Sequence, residues 1–316
     1  MLLTVEDLKT WFPIRRGILA RTIGYVRAVD GVSFTLSRGE TLGLVGESGC
    51  GKTSLGRTLV GLEKIYAGRV LYEEKDLSRM SGREIRRLRK KMQIIFQDPL
   101  SSLNPRLNIL DIITEGLAEF GMIEGTRESA GAALLEDVGL DADALYRYPH
   151  EFSGGQRQRI NIARAVSLKP DFIVCDEAVS ALDVSIQAQI INLLLELRER
   201  YDLSYMFISH DLSVVSHIAH RIAVMYLGRI VEHGKTGDII FNAKHPYTKA
   251  LIDAVPVPGL SKERQVVLQG GAPSASAPPM GCSFHPRCAH AMDICRRIVP
   301  QASESHGHSV CCHLYL

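Results

Sequence analysis

A glycine-rich segment constrains this chain more than any other feature of its sequence. Residues 46–53 read Gly-Glu-Ser-Gly-Cys-Gly-Lys-Thr, which fits the pattern GxxxxGK[ST]. They follow a short apolar run from Thr41 to Val45 and precede a helical pattern from Lys52 to Gly61. A strand, a glycine-rich turn and a helix N-terminus in this order place backbone amides and a helix dipole around an anion. The segment therefore predicts a phosphate-binding loop.

Polar side chains in and beyond this loop have distinct predicted roles. Lys52 is expected to reach the β- and γ-phosphates of a nucleotide, and the Thr53 hydroxyl is expected to bind Mg²⁺. Further along, the apolar run from Phe172 to Cys175 ends in Asp176 and Glu177. Carboxylates at the end of a buried strand suit metal and water chemistry beside a phosphate site. Asp176 is the predicted Mg²⁺ partner, and Glu177 is the predicted general base.

The order of apolar segments predicts the fold class. Roughly the first 75 residues are rich in alternating or β-branched apolar positions. Residues 98–165 carry mainly helix-spaced apolar positions. Two later apolar runs, Phe172 to Cys175 and Tyr205 to Ile208, flank a helical pattern from Ser185 to Arg200. Strand, helix and strand at this spacing predict a parallel, doubly wound sheet.

Composition and charge disfavour several function classes. The 316 residues are 46% hydrophobic and carry a formal net charge of +2, so no strong basic field indicates nucleic-acid binding. The local basic run from Arg83 to Lys91 is interpreted as a solvated helix face. No stretch approaches the ~20 apolar residues of a membrane span, and the acidic start MLLTVEDLKT does not fit a secretory signal. We therefore expect a cytoplasmic protein that reaches any membrane by docking to a partner.

Further motifs connect the chain with one protein family. Phe152 to Gln156 read FSGGQ, Gln97 ends the run IIFQ, Ser180 to Asp183 read SALD, and His210 follows YMFIS. Over residues 1–240 the chain resembles the ATP-binding cassette (ABC) transporter ATPases. The four segments are similar to the signature motif, Q-loop, D-loop and switch histidine of that family in sequence, order and spacing.

The resemblance implies a fold and a division into domains. It predicts an α/β fold with a P-loop NTPase (RecA-like) core, an antiparallel β subdomain and an α-helical subdomain. The nucleotide-binding domain is expected over residues 1–240, with its helical subdomain at about 98–165. Residues 241–316 are expected to form a C-terminal extension. There, a Gly/Ala/Ser/Pro-rich linker at about 270–280 leads to a Cys-rich segment at 281–316.

The same resemblance implies a role for each motif. Two cassettes of this family face each other head to tail, so that the phosphate loop of one and the signature of the other enclose each ATP. Glu177, His210 and Gln97 are the implied catalytic residues. Gln97 would contact Mg²⁺ or the attacking water, and His210 would contact the γ-phosphate. Phe12, or its neighbour Trp11, would stack on adenine.

The implied ligand sets are larger than this catalytic group. The ATP ligands would be Phe12, Gly46, Glu47, Ser48, Gly49, Cys50, Gly51, Lys52, Thr53, Ser54, Gln97, Asp176 and His210. The Mg²⁺ ligands would be Thr53, Gln97 and Asp176. The partner's ATP would meet Ser153, Gly154, Gly155 and Gln156, with Asp183 at the dimer contact. A Ser-Gly-Gly turn that opens a helix is itself an anion site. One chain therefore carries two half-sites, and alone it is expected to bind ATP but to hydrolyse it poorly.

Longer stretches resemble the oligopeptide/dipeptide importer branch of the family. They are Tyr148 to Arg159, Gln97 to Pro105 and His245 to Leu251. Such importers usually pair two different ATPases, and the wording FSGGQRQR and ISHDLSVV is similar to the second of the pair. The resemblance implies a non-identical ABC ATPase partner, two transmembrane permease subunits and, indirectly, an extracytoplasmic solute-binding protein. The implied location is peripheral, at the cytoplasmic face of the inner (plasma) membrane.

Three alternatives stay open at this point. The solute could be an opine, a nickel chelate or an oligosaccharide instead of a peptide. A soluble ABC protein of translation or repair is disfavoured, because such proteins usually carry two cassettes in one chain or a long coiled-coil insertion. A cysteine-rich regulator with a degenerate cassette is disfavoured by the intact Lys52, Asp176, Glu177 and His210.

Five of the seven cysteines crowd into the end of the chain. From the residues alone, a metal or cluster site and solvated free thiols are equally supported, because the spacings fit neither zinc ribbons nor common ferredoxins. Importers of the branch carry a similar segment that holds a [4Fe–4S] cluster, and here Cys311 is an extra cysteine. Zinc, with His285 or His313 as a substitute ligand, is the alternative. The four cysteines that match the cluster ligands are Cys282, Cys288, Cys295 and Cys312.

Overall fold

A computed structural model of the chain describes residues 1–17, 20–254 and 270–316. Residues 255–269 of the predicted C-terminal extension lie outside the described residues. The strands are β1 (Leu3–Arg16), β2 (Arg21–Leu36), β3 (Thr41–Val45), β4 (Ala67–Tyr72), β5 (Lys75–Asp76), β6 (Met92–Ile95), β7 (Phe172–Asp176), β8 (Ser204–Ser209), β9 (Arg221–Tyr226), β10 (Arg229–Lys235), β11 (Ser303–Ser305) and β12 (His308–Val310). The α-helices are α1 (Lys52–Leu59), α2 (Gly82–Leu88), α3 (Pro99–Ser102), α4 (Ile109–Glu119), α5 (Arg127–Asp137), α6 (Gly154–Val166), α7 (Val184–Tyr201), α8 (Leu212–Ile218), α9 (Thr236–Phe241) and α10 (Pro246–Asp253).

The described chain divides into two compact units. The first unit contains Met1–Leu36, Thr41–Arg79 and Ile208–Leu316. The second contains Ser37–Glu40 and Met80–Phe207. Among the helices of the described ranges, none combines the length and the apolar character needed to cross a bilayer.

Two sheets build the first unit. One is antiparallel, with the strand order β2-β1-β4-β5. In the other, β3 runs parallel to β9, and β10, β12 and β11 continue from β9 in antiparallel pairs. Every residue of β3 is buried, as its apolar sequence predicts. A Cβ on Gly43 in β3 would lie 2.2 Å from Val215 of α8, so this strand admits no larger residue there. The position of β3 fixes where the glycine-rich loop begins.

The second unit contains a parallel strand pair and most of the long helices. β6 pairs with β7 in parallel. Three of the longer helices, α4, α5 and α6, begin at polar side-chain caps, which are Asn108, Thr126 and Ser153. The first six residues of the basic run, 83–88, lie in α2, in which no residue is buried. The helical pattern predicted after β7 is α7. Together with the parallel β3–β9 pair of the first unit, these elements confirm the α/β fold class.

A buried carboxylate joins the end of the chain to the first unit. The Glu232 side chain in β10 is fully buried. Its Oε1 accepts a hydrogen bond from Lys244 N (2.6 Å) and bonds to His308 Nε2 (2.7 Å), while Oε2 accepts from His245 N (3.0 Å). His308 lies in β12, and β12 pairs with β10. Because a buried carboxylate without partners is costly, these contacts tie the last strands to the core.

His245 gives this region a pH dependence that can be measured. Burial lowers the pKa of its imidazole to about 4, and Nδ1 accepts a hydrogen bond from Tyr247 N at 3.0 Å. The unfolded chain binds a proton near pH 6.5, whereas the folded chain binds one only near the lowered pKa. Stability from this group is thus complete above pH ~6.5 and is lost at up to about 1.4 kcal/mol per pH unit as the pH falls towards 4.

The matched variant is His245→Asn, whose amide oxygen can accept the same bond but does not titrate. We expect urea unfolding to show a smaller loss of unfolding free energy between neutral and mildly acidic pH for the variant than for the wild type. Equal losses in the two proteins would contradict this assignment.

Candidate active site

The glycine-rich loop lies between β3 and α1 in the first unit. Gly51 has φ +109°, and a Cβ at this position would lie 1.9 Å from the carbonyl oxygen of Ala28. A Cβ on Gly46 would lie 2.2 Å from the carbonyl oxygen of Met225. Real Cβ atoms cannot approach backbone this closely, so both positions require glycine. Neighbouring backbone therefore holds the loop against the strands on which it sits.

Lys52 points back into this loop. Its Nζ donates to the carbonyl oxygens of Gly46 (2.7 Å) and Glu47 (3.0 Å), and the side chain is buried. Burial raises the pKa of the adjacent Cys50 thiol, although the nearby Lys52 opposes this. The thiol therefore stays protonated and adds no negative charge to the loop. An amine held by carbonyl oxygens at the centre of a glycine-rich loop is suited to transfer to phosphate oxygens.

The remaining predicted ligands of the first unit surround this amine or follow β8. Ser48 and Gly49 at the loop tip are exposed, and Thr53 and Ser54 in the first turn of α1 are half-buried. His210, directly after β8, is exposed.

Two residues that the sequence analysis did not assign to the site also contact the loop. The Tyr247 hydroxyl accepts a hydrogen bond from Glu47 N at 2.8 Å. Arg287 donates from Nη1 to Glu47 Oε2 at 2.6 Å and from Nη2 to Oε1 at 2.9 Å. They lie 200 and 240 residues away along the chain. For Tyr247, the only sequence signal was the resemblance of the HPYTKAL stretch; for Arg287 there was none.

In the second unit the structure brings three predicted residues together. Gln97 Nε2 donates to Glu177 Oε2 at 2.8 Å, and the Ser180 amide and hydroxyl both donate to the Glu177 carbonyl oxygen. Asp176, the last residue of β7, is buried. Glu177 adopts φ +48°, a left-handed conformation that costs a non-glycine residue about 1–3 kcal/mol. Strain of this kind is typical of functional positions, and it turns the chain sharply after the strand.

The signature segment forms an exposed helix N-terminus in the same unit. Ser153 caps α6: its hydroxyl accepts from Gln156 N, and Gln156 Oε1 accepts from Ser153 N. A Cβ on Gly155 would lie 2.7 Å from Ile186 of α7, so the glycine allows α6 to approach α7. Asp183 is an exposed residue at the N-terminus of α7. The exposed hydroxyl, amides and helix dipole form a surface that a second molecule's phosphate can reach.

Trp11 belongs to an aromatic group of the first unit. Its ring stacks on Tyr66 at a centroid distance of 4.4 Å, and the Arg27 guanidinium lies 4.9 Å from its ring centroid. Its Nε1 donates to Asp30 Oδ1 at 3.2 Å. The indole therefore already has stacking, cation–π and hydrogen-bond partners within the protein.

Phe12 follows Trp11 in β1 and is half-buried. The pairing of β1 with β2 shifts its register between Thr10 and Trp11, and Thr10 hydrogen-bonds to Thr58 of α1 at 2.9 Å between the hydroxyl oxygens. The contacts that Trp11 already makes within the protein favour Phe12 as the adenine-stacking residue, which stays a prediction.

The last segment of the chain places four thiols near one another. Burial, together with the charges of Cys295, Cys312 and Cys288, raises the pKa of Cys282 to about 11. Burial also raises the pKa of Cys312, to which Cys288 and Cys295 add. The backbone links part of this group, since Cys282 N donates to Cys295 O at 2.8 Å.

Cys311 stands apart from this group. Burial raises the pKa of the Cys311 thiol, and nearby Arg229 partly offsets this rise. Among the other thiols, Cys312 also raises the pKa of Cys311. In the described ranges, no three or more His, Cys, Asp or Glu side chains are arranged to hold a metal ion.

Comparison with known proteins gives concordant results. The ABC transporter family matches residues 29–180, and the family described as oligopeptide/dipeptide transporter, C-terminal region, matches residues 231–295. The oligopeptide transport ATP-binding protein AppF of Bacillus subtilis is 50% identical over 99% of this chain and 97% of its own length. The probable peptide ABC transporter ATP-binding protein y4tS of Sinorhizobium fredii is 50% identical over 99% of this chain and 90% of its own.

Solved structures share the fold. The ATP-binding cassette MJ0796, in a dimeric post-hydrolysis state bound to ADP and phosphate, has a TM-score of 0.65 at 23% identity and covers 74% of this chain and 98% of its own. The cbiO1 protein of Clostridium perfringens, part of a cbiONQ transporter complex, has the same TM-score at 25% identity and covers 75% of this chain and 90% of its own.

The two aromatic candidates can be separated by nucleotide binding. Stacking of a base on an aromatic ring contributes about 1–3 kcal/mol, so Phe12→Ala should raise the Kd for ATP about fivefold or more, while Phe12→Tyr should preserve it. Trp11→Ala should mainly lower the melting temperature, because it removes contacts to Tyr66 and Arg27. Calorimetric titration with ATP and thermal unfolding measure the two effects. A larger rise in Kd for Trp11→Ala than for Phe12→Ala would reverse the assignment.

Proposed function

Because this chain belongs to the ABC transporter ATPase family, we propose that it is the ATP-hydrolysing subunit of an importer for oligopeptides or dipeptides. The observation that carries the proposal is that the similarity to peptide-transport ATP-binding proteins runs through the whole chain, including the C-terminal region beyond the cassette. The proposed working location is the inner face of the cell membrane, beneath two permease subunits.

The proposed chemistry is attack of water on the γ-phosphate of ATP. Loop amides and Lys52 hold the phosphates, and Glu177 accepts the proton of the attacking water as the new oxygen–phosphorus bond forms. The bond to the β-phosphate oxygen breaks, so ADP and phosphate leave. Gln97 orients Glu177 through their hydrogen bond. Mg²⁺, which Thr53, Asp176 and Gln97 would hold, supplies positive charge to the phosphate oxygens.

A partner must complete the site. We propose that Ser153 to Gln156 cover ATP held by a second, non-identical ATPase, and that the partner's equivalent turn covers ATP held here. The exposure of the α6 N-terminus supports this arrangement, because the backbone amides of an exposed helix end are accessible to the phosphate of another molecule. ATP would then bridge the two subunits, and hydrolysis would release them.

Glu177→Gln tests the proposed function in the assembled transporter. The variant keeps its size and its contact with Gln97 but loses the base. ATP binding should therefore persist, while ATP turnover should fall by about 10²–10⁴-fold and uptake of labelled peptide should stop. Glu199→Gln, an exposed residue of α7, is the matched control and should leave both activities unchanged.

The wild-type chain should copurify with a second, different ATPase and two permease subunits. Undiminished turnover at this site in Glu177→Gln would exclude Glu177 as the base. Normal peptide uptake in cells that lack this chain would exclude the peptide-import proposal.

We further propose that Cys282, Cys288, Cys295 and Cys312 hold a [4Fe–4S] cluster. Their mutual electrostatic influence supports one shared site. Four cysteine thiolates are the usual ligand set of a [4Fe–4S] cluster. The cluster would cross-link a segment with little core of its own, or sense redox state.

Anaerobic purification tests the cluster and its ligands. We expect about four iron and four inorganic sulfide per chain, with brown colour. Cys312→Ser should lose most of this iron, whereas Cys311→Ser, at the adjacent position, should keep it. Stoichiometric zinc without iron would exclude the cluster, and iron loss in Cys311→Ser alone would exclude Cys312 as the fourth ligand.

A further inference from the structure

The phosphate loop carries an acidic residue at its second position. Glu47 lies between Gly46 and the exposed loop tip, and its side chain is only 30% exposed. A carboxylate so close to a triphosphate site repels the ligand unless a positive charge neutralises it. Its own loop contains one cation, Lys52, whose amine is directed to the loop carbonyls.

The neutralising charge comes from the end of the chain. Arg287 forms a two-pronged ion pair with Glu47, with N–O distances of 2.6 and 2.9 Å, and its side chain is 6% exposed. Its guanidinium also lies 5.9 Å from the ring centroid of Tyr226. Paired, planar hydrogen bonds of this kind fix orientation as well as charge. The pair therefore holds the Glu47 side chain in one position.

Phe284, from the same C-terminal segment, reaches Glu47 indirectly through Tyr247. Phe284 is 2% exposed, and its ring centroid lies 5.2 Å from that of Tyr226 and 5.3 Å from that of Tyr247. Tyr247 in turn accepts the hydrogen bond from the Glu47 amide. The C-terminal segment thus acts on Glu47 directly, through the Arg287 ion pair with its carboxylate, and indirectly, through the packing of Phe284 on the Tyr247 that bonds to its amide.

We propose that Arg287 is a positioning residue of the ATP site, and that docking of the C-terminal segment sets the ATP affinity of this half-site. Arg287 removes the repulsion between Glu47 and the phosphates and, with the packed Phe284, fixes the loop. The inference rests on ATP binding in this loop, as proposed above. Because Arg287 immediately precedes Cys288, a rearrangement of the thiols reaches the loop through one peptide unit.

A mutant cycle tests the proposal on the full-length chain, with Mg²⁺-ATP binding followed by calorimetry. Arg287→Ala should raise the ATP Kd about tenfold, since it leaves the carboxylate unpaired beside the phosphates. Glu47→Gln removes the negative charge from the loop, and its own Kd is the reference for the second half of the cycle. In the Glu47→Gln background, Arg287→Ala should then have little further effect.

This rescue separates positioning from a merely structural role. If Arg287 only stabilised the C-terminal segment, its removal would weaken ATP binding equally in both backgrounds, and that result would overturn the proposal. Arg296→Ala, an exposed arginine of the same segment, is the matched control and should bind ATP normally. Should Arg287→Ala fail to fold, Arg287→Lys keeps the charge but loses the fork. Its Kd should then rise by a smaller factor, and an unchanged Kd would equally overturn the proposal.

A separate measurement tests whether the state of the thiols changes ATP binding. Oxidative removal of iron should raise the ATP Kd of the wild type towards that of Arg287→Ala and leave Glu47→Gln nearly unchanged. If no iron is present, the cluster proposal fails, and the mutant cycle still decides the role of Arg287. If the wild-type chain binds no ATP, the proposed function fails instead.

Discussion

The close approach of backbone around the phosphate loop is the constraint on which the first unit depends. Gly51 touches the Ala28 carbonyl of β2, and Gly46 touches the Met225 carbonyl of β9. The backbone adds a further tie, because Gly228 N donates to Cys50 O at 2.8 Å. Two strands and a turn therefore determine the loop from outside, and only glycines fit between them. The loop's shape is a property of the sheet arrangement, so a nucleotide meets a cradle whose amides are already in place.

The C-terminal segment is part of that same framework. Glu232 needs Lys244, His245 and His308 to satisfy its buried oxygens, and His308 comes from β12, near the end of the chain. Removal of one partner from a buried charged group is more destabilising than removal of an exposed contact. The first unit therefore depends on its own C-terminal strand for stability. This anchor also brings Phe284 and Arg287 to the loop in a fixed position.

The sequence was most informative where chemistry is local. The phosphate loop, the acidic end of β7 and the signature turn are short runs whose residue types already define their conformation, and the order of the apolar segments around them predicted the α/β fold class. Arg287 could not be found this way, because an arginine before a cysteine has no local signal and its partner lies 240 residues away. The choice between Trp11 and Phe12 required three-dimensional information too. The strand pattern leaves both rings available, and only the structure shows that Trp11 already stacks on Tyr66 and hydrogen-bonds to Asp30.

The glutamate in the phosphate loop allows the C-terminal segment to control ATP binding. A phosphate loop with a neutral side chain at position 47 would bind phosphate whether or not the C-terminal segment were docked. With a carboxylate there, the loop favours ATP only while Arg287 is in place, because the same charge that pairs with the guanidinium repels the ligand when it is unpaired. The ion pair therefore makes nucleotide binding conditional, and the condition is set by residues that neighbour the clustered thiols. Since binding free energy must differ between two states for one site to influence another, the charge of Glu47 supplies the difference through which the thiol group can act on ATP.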